Sequence, residues 1–139
     1  MAFDLQTMDY SAAADNGFTF NLILPDGTES DAKLTVIGDL SATVQNYSKK
    51  KYKEYKSQVD AAKRKNKDWE PTLEEAEDES VNACLVRLIG WEGITENGKV
   101  VEFSKEKAEE VLRKHAWMRD QIYEQSRDVA NFTPRKSKT

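Results

Sequence analysis

The sequence has few of the residues on which catalysis, metal binding and covalent cross-linking depend. It contains one cysteine, Cys84, and one histidine, His115, in 139 residues. A single cysteine excludes an internal disulfide and any metal site built on several cysteines, and it favours a reducing compartment. Zinc sites and catalytic triads usually need more such residues than this chain has. We therefore expect no metal, no cofactor and no enzymatic activity.

Long hydrophobic runs are also missing. The longest one, ACLVRLIGW (83–91), is interrupted by Arg87 and is too short to span a bilayer. The opening residues MAFDLQTMDY lack both the basic region and the continuous apolar core of a signal peptide. These absences predict a soluble, cytoplasmic protein with no membrane partner.

Charge is what the sequence has in abundance, because 33% of the residues are charged and 38% are hydrophobic. A chain of this length can still bury about two thirds of its unfolded surface in one core. We predict a single domain over 1–132, followed by a flexible basic tail over 133–139.

The periodicity of the apolar residues predicts an α+β fold that is mainly helical. Phe18, Phe20, Leu22 and Leu24 alternate with polar residues, and PDGT (25–28) has the composition of a tight turn. Helical spacing follows, and Asn97-Gly98 marks a second, smaller hairpin. The predicted elements are a hairpin over 18–37, three main helices over about 40–66, 72–89 and 104–130, and a small hairpin between the last two helices.

The ends of these helices also have local signals. Ser41 or Asp39 is expected to cap the first helix and Ser104 the last. TLEE (72–75) matches the capping-box pattern of a helix start. Gly90 is expected to end the helix that begins at this box.

Two adjacent blocks of opposite charge occupy the middle of the chain. Residues 49–67 hold nine basic and two acidic side chains, a net charge of +7, and residues 68–79 hold seven acidic and no basic ones, −7. The two helices could form a hairpin whose charges face each other and water, which we favour. Alternatively, the basic helix could present Tyr47, Tyr52 and Tyr55 to an acidic partner or to nucleic acid, although the overall net charge of −4 argues against nucleic acid.

The remaining candidates favour structural roles. We interpret Cys84 as a buried hydrophobic residue and His115 as a half-buried side chain on an apolar stripe. Trp91 is expected to fill the join between helix and small hairpin. Trp117 lies off the stripe of the last helix, so it is either a core residue or an exposed binding residue.

The order of these features resembles the tail assembly chaperones of long-tailed (siphovirus-type) bacteriophages. The similarity lies in FTFNLILPDGTESDAKLTVIGDLSATVQNY, in LIGWEGITENGKVVEFSKEKAEEVL, and in the closing WMRDQIYEQSRDVANF. Together these phrases cover most of the chain, although each alone is common in folded proteins.

The resemblance implies a non-enzymatic protein of the host cytoplasm that binds the tape-measure protein, keeps it soluble, recruits tail-tube subunits and is absent from the mature virion. It fixes no binding residues. From the sequence itself we predict partner binding by Tyr47, Tyr52, Tyr55, Trp117 and Phe132, and self-association through the open strand edges of the first hairpin. The alternatives are a minor tail or tail-completion protein retained in the virion, and a nucleic-acid-binding protein that uses the lysine-rich helix.

Overall fold

The computed structural model describes residues 2–133, and the chain folds in the order helix, hairpin, two helices, strand, small hairpin, two helices. Beyond Thr133, the predicted flexible tail lies outside the described residues. The elements are α1 (Ser11–Ala14), β1 (Phe18–Ile23), β2 (Glu29–Val36), α2 (Ala42–Arg64), α3 (Leu73–Arg87), β3 (Leu88–Glu92), β4 (Thr95–Glu96), β5 (Lys99–Val100), α4 (Lys105–Lys114), α5 (Ala116–Arg127) and a final 3₁₀ turn (Val129–Phe132).

The predicted N-terminal hairpin is confirmed. β1 and β2 pair antiparallel, from Phe18 opposite Val36 to Ile23 opposite Glu29. Gly27 in the connecting turn has a φ of +90°, a conformation that glycine adopts without steric cost. Alternate residues of the two strands face the core, since Phe20, Leu22, Leu34 and Val36 are all buried.

The sheet has a third strand that the sequence did not predict. β3 pairs antiparallel with β2, which places β2 in the centre of the sheet. Gly90, expected to end a helix, lies inside this strand and does not have a positive φ. α3 instead ends at Arg87, where the Lys105 ammonium donates to the carbonyls of Leu85 and Leu88. These bonds satisfy carbonyls that a helix end leaves free.

Three of the predicted helix starts are confirmed by their caps. Ser41 accepts a hydrogen bond from the Val44 N–H, and Ser104 accepts one from the Lys107 N–H. Thr72 and Glu75 form a reciprocal capping box. Each of these bonds satisfies a backbone group that the first turn of a helix leaves free.

The helix predicted over 104–130 is two helices, because the chain bends at His115. His115 has φ −126° and ψ 81°, outside helical geometry. The Arg119 guanidinium donates to the carbonyl of Leu112 at 2.6 Å. An arginine from the second helix therefore caps the end of the first.

The small hairpin lies where it was predicted. Asn97 and Gly98 have φ values of +54° and +77°, as a two-residue turn of type I′ requires. The Val101 N–H donates to the Ile94 carbonyl. Trp91 fills the join as expected, because its indole N–H donates to the Val101 carbonyl at 2.9 Å and its ring packs edge-on against Phe103.

The core forms where α3, α4 and α5 pack together and against the sheet. Its buried members are Phe20, Leu22, Leu34, Val36, Val81, Cys84, Leu88, Ala108, Leu112, Met118, Ile122 and Phe132. The α+β, mainly helical fold class is thereby confirmed. Within residues 2–133, the helices are all too short or too polar to cross a membrane.

Candidate interaction surface

Helix α2 is the longest element, yet it contributes almost nothing to the core. Of its 23 residues, Val44 alone is buried. At 1.5 Å per residue such a helix is about 34 Å long. Most of the helix therefore lies in solvent, and α2 begins at the core and extends away from it.

The first three turns of α2 are held to α3 by one acidic residue. The Tyr47 hydroxyl donates to Glu79 Oε1 at 2.6 Å, and the Lys51 ammonium lies 3.3 Å from Glu79 Oε2. Partial burial and the nearby Glu79 carboxylate both raise the pKa of Tyr47, which therefore stays protonated and keeps its role as donor. The last three turns have no comparable contact with α3.

An aromatic stripe continues along α2 beyond this attachment. We define the α2 stripe as Tyr47, Lys51, Tyr52, Tyr55 and Val59. Tyr52 is 65% exposed and Tyr55 is 53% exposed. Trp69, in the segment that returns from α2 to α3, packs edge-to-face against Tyr55 at 5.4 Å.

A second face of α2 is basic, and its centre lies roughly 150° around the helix from that of the stripe, with Lys56 one turn after Tyr52. Lys53, Lys56 and Arg64 are all exposed, and none forms an ion pair with another described residue. We call these three residues the basic face. They border a shallow groove that is completed by Ser57, Asp60 and Ala61.

The predicted pairing of the two charge blocks is present at only one point. Lys51–Glu79 is the single ion pair that joins residues 49–67 to residues 68–79 in the described chain. Asp78 instead binds Arg113 on α4 at 2.6 Å. Most charges of both blocks therefore face solvent.

Trp117 and Phe132, the other residues predicted to bind a partner, do not lie on α2. Trp117 on α5 is half-buried, packs against the core and contacts the His115 ring edge-on at 5.9 Å. Phe132 is 7% exposed and packs against Phe18. Of the five predicted residues, the structure thus groups three on the α2 stripe and places Phe132 inside the core.

Cys84 and His115 lie in structural positions. Burial raises the pKa of the Cys84 thiol to about 11, which keeps it in the poorly nucleophilic protonated form at neutral pH. His115 occupies the bend between α4 and α5. Across residues 2–133 there is no group of three or more His, Cys, Asp or Glu side chains that could hold a metal ion.

A buried polar network centred on Arg87 was not predicted from the sequence. The Arg87 guanidinium binds Asp39 Oδ1 at 2.9 Å and the Ala83 carbonyl at 2.7 Å. The Ser126 hydroxyl lies 2.8 Å from the same Asp39 oxygen. Arg87 interrupts the longest apolar run of the chain, and a charged residue at such a position was the one available signal of this network.

An apolar cleft of about 240 Å³ lies beside this network. It is lined by Tyr10, Ala14, Gly38, Leu40, Val129 and Phe132, together with three polar residues. Its volume is below the range of about 300–1,000 Å³ that is usual for small-molecule sites. The exposed surface of α2 is therefore the stronger candidate for function.

Comparison with known proteins supports a phage origin. Residues 41–139 match the family described as YdaY prophage protein. The match begins at Ser41, the N-cap of α2, and covers more than two thirds of the chain. No curated protein and no solved structure matches the sequence. The chain therefore belongs to the family of YdaY prophage proteins.

Proposed function

We propose that this prophage protein is a non-enzymatic tail assembly chaperone that binds the tape-measure protein, keeps it soluble and recruits tail-tube subunits. The family membership supports a phage role, and the resemblance to tail assembly chaperones supplies the particular task. The observation that carries the proposal is the α2 stripe. Its two exposed tyrosines lie on the part of α2 that extends beyond the core.

A helical partner laid along α2 would bury these tyrosines. Tyr52 and Tyr55 combine a large apolar ring with a polar end, which suits a surface that is solvated in one state and covered in another. Amphipathic helices commonly bind in this way, through apolar residues at intervals of three and four. A tape measure is a long helix with apolar stripes, so it would present such residues repeatedly.

The surrounding lysines suit a partner that must later be released. Exposed ion pairs contribute about 0–1 kcal/mol each, so acidic residues beside the partner's apolar stripe would add specificity without making the complex permanent. Tail-tube subunits could then displace the chaperone. We accordingly place the protein in the host cytoplasm and outside the finished particle.

Co-expression with the tape-measure protein of the same prophage tests this function. We expect the tape measure to become soluble and to co-purify with this chain. A Y52A/Y55A variant should bind it at least about tenfold more weakly, since aromatic residues at the centre of interfaces often contribute 2 kcal/mol or more.

The matched control is K53A/R64A, whose two residues lie roughly 160–180° around α2 from Tyr55. It should retain most of the binding, and both variants should keep the wild-type circular dichroism spectrum. If the tape measure stays insoluble with the wild-type chain, the proposal is wrong. If the control loses binding as much as Y52A/Y55A, the stripe is not the binding surface.

Mass spectrometry of purified particles tests the location. A chaperone should be absent from them, whereas a minor tail or tail-completion protein would be present in stoichiometric amounts. Detection of the chain in intact virions would replace the chaperone proposal with a structural role.

A further inference from the structure

The two charge blocks leave complementary surfaces uncovered on the same molecule. On one side is the basic face of α2. On the other are Glu70, just before α3, and Glu74 and Glu77 in its first two turns, which are exposed and form no ion pair with another described residue. We call these three residues the acidic patch.

The fold prevents the two surfaces from meeting within one chain. Trp69 packs against Tyr55, so the returning segment runs beside the stripe. At 100° per residue, Lys53, Lys56 and Arg64 lie roughly 100–180° around α2 from Tyr55. The acidic patch begins at the residue after Trp69, on the side of α2 where the returning segment runs. The basic face points away from that segment.

We propose that the basic face of α2 docks on the acidic patch of a second copy of this chain, and that the second copy returns the same contact. A two-fold symmetric dimer makes every such contact twice, so three basic and three acidic residues per chain form two equivalent charge-matched contacts. Leu73, 92% exposed between Glu70 and Glu74, supplies an apolar contact in the middle of each.

A second copy fits the basic face better than a nucleic acid does. Residues 68–79 carry a charge of −7 directly beside the basic block, and the whole chain carries −4. A polyanion that approached α2 would be repelled by this neighbouring segment. A second copy instead uses that segment as its own contribution to the contact.

The inference does not rest on the proposed chaperone function. The basic face and the α2 stripe are different sides of the helix, and the test below requires only this chain. A dimer would also leave Tyr55, which lies roughly 100–180° around α2 from the basic face, available for a different partner.

Charge reversal tests the dimer. Variant K53E/K56E/R64E makes both surfaces acidic, and variant E70K/E74K/E77K makes both basic. Glu75, Asp78 and Glu79 are left in place because they form the capping box and the pairs with Arg113 and Lys51. Molar mass is measured by light scattering or sedimentation over a range of protein concentrations at low and at high salt.

We expect the wild-type chain to dimerise at low salt and to dissociate as salt screens the contact. Each variant alone should associate at least about tenfold more weakly, because every contact becomes repulsive. An equimolar mixture of the two variants should form a heterodimer, since both contacts are then attractive again. Charge pairing within one chain cannot produce that rescue.

A wild-type chain that stays monomeric at all concentrations and salt conditions would overturn the proposal. So would a mixture of the two variants that does not associate, or a wild-type monomer that shifts an oligonucleotide in a gel at low salt. Circular dichroism verifies that the variants fold. If a charge-reversed chain does not fold, K53Q/K56Q/R64Q and E70Q/E74Q/E77Q replace the two charge-reversed variants. Each of them must then dimerise more weakly than the wild-type chain for the proposal to stand.

Discussion

At the scale of single residues, Arg87 determines how three parts of the chain meet. It is 8% exposed and joins the end of α3 to Asp39 in the connection between β2 and α2. Its guanidinium also lies over the Tyr123 ring on α5, 5.2 Å from the centroid. A buried charge of this kind is stable only while its partners are in place.

Replacing Arg87 with Met should therefore destabilise the fold although it adds an apolar side chain to an apolar region. Asp39 would lose its ionic partner, and the Ala83 carbonyl would lose its donor. Because Asp39 is partly solvated, we expect a loss of about 2 kcal/mol in the free energy of unfolding. Urea denaturation of R87M measures it, with K107M as the control because Lys107 is a partly exposed lysine that pairs with Glu96 and Glu110. An R87M variant as stable as the wild type would show that the network does not support the fold.

One buried and two partly buried titratable groups make stability depend on alkaline pH. Burial raises the pKa of Cys84 to about 11 and also raises those of Tyr47 and Tyr123. Folding therefore favours their protonated forms. The stabilisation is complete below the ordinary pKa values of the unfolded chain and is lost as the pH rises through the higher folded values.

We expect the urea midpoint to be constant near neutral pH and to fall from about pH 9 upward, with the Cys84 contribution lost by about pH 11 and the tyrosine contributions lost at higher pH. A C84A variant should start from a lower midpoint and should show a smaller decrease over the same range. An equal decrease in both proteins would mean that the thiol does not contribute to the pH dependence.

At the scale of elements, the sequence predicted what short-range signals determine. The PDGT turn, the Asn97-Gly98 turn and the three helix caps each depend on residues within a few positions of one another. The last turns of α3 and the five residues of β3 form one apolar run, and a strand this short cannot be distinguished from the end of a helix by periodicity. The bend at His115 contains neither proline nor glycine and depends on Arg119.

Three glycines of this region differ in backbone φ and in the space around them. An added Cβ at Gly93 would lie 2.3 Å from the Asp31 carbonyl oxygen at a φ of +76°, whereas Gly98 has a φ of +77° but open space around it. Gly90 has neither constraint. We expect G93A to cost about 3 kcal/mol or more, G98A about 1 kcal/mol and G90A close to zero.

Thermal or urea unfolding of the three variants measures this order. A large effect of G90A, or equal effects of G93A and G98A, would contradict the arrangement of β3 and the small hairpin.

At the scale of the whole molecule, residues near the two ends of the described chain pack against Gly38. An added Cβ at Gly38 would lie 2.9 Å from Phe132 and 3.0 Å from Ala14, and the Gly38 N–H donates to the Ala14 carbonyl. The start and the end of the domain therefore meet where β2 leads into α2. This long-range contact between Phe132, Gly38 and Ala14 could not be read from local periodicity.

Phe132→Ala should accordingly act on stability. We expect a loss of about 3 kcal/mol, as for other buried phenylalanines. Val129→Ala in the same 3₁₀ turn is the matched control, because Val129 is 40% exposed and its truncation should cost less than about 1 kcal/mol. If F132A unfolds like the wild type but binds the tape measure poorly, Phe132 acts in recognition after all.

The attachment of α2 by Val44, Tyr47 and Lys51 has a consequence for the evolution of this protein. Selection for a stable fold acts on the first three turns of α2 and scarcely on the rest. The outer turns are free to change with whatever they contact, and an altered partner can be matched by surface substitutions alone. A recombining prophage could thus exchange the specificity of this helix while it inherits an unchanged domain.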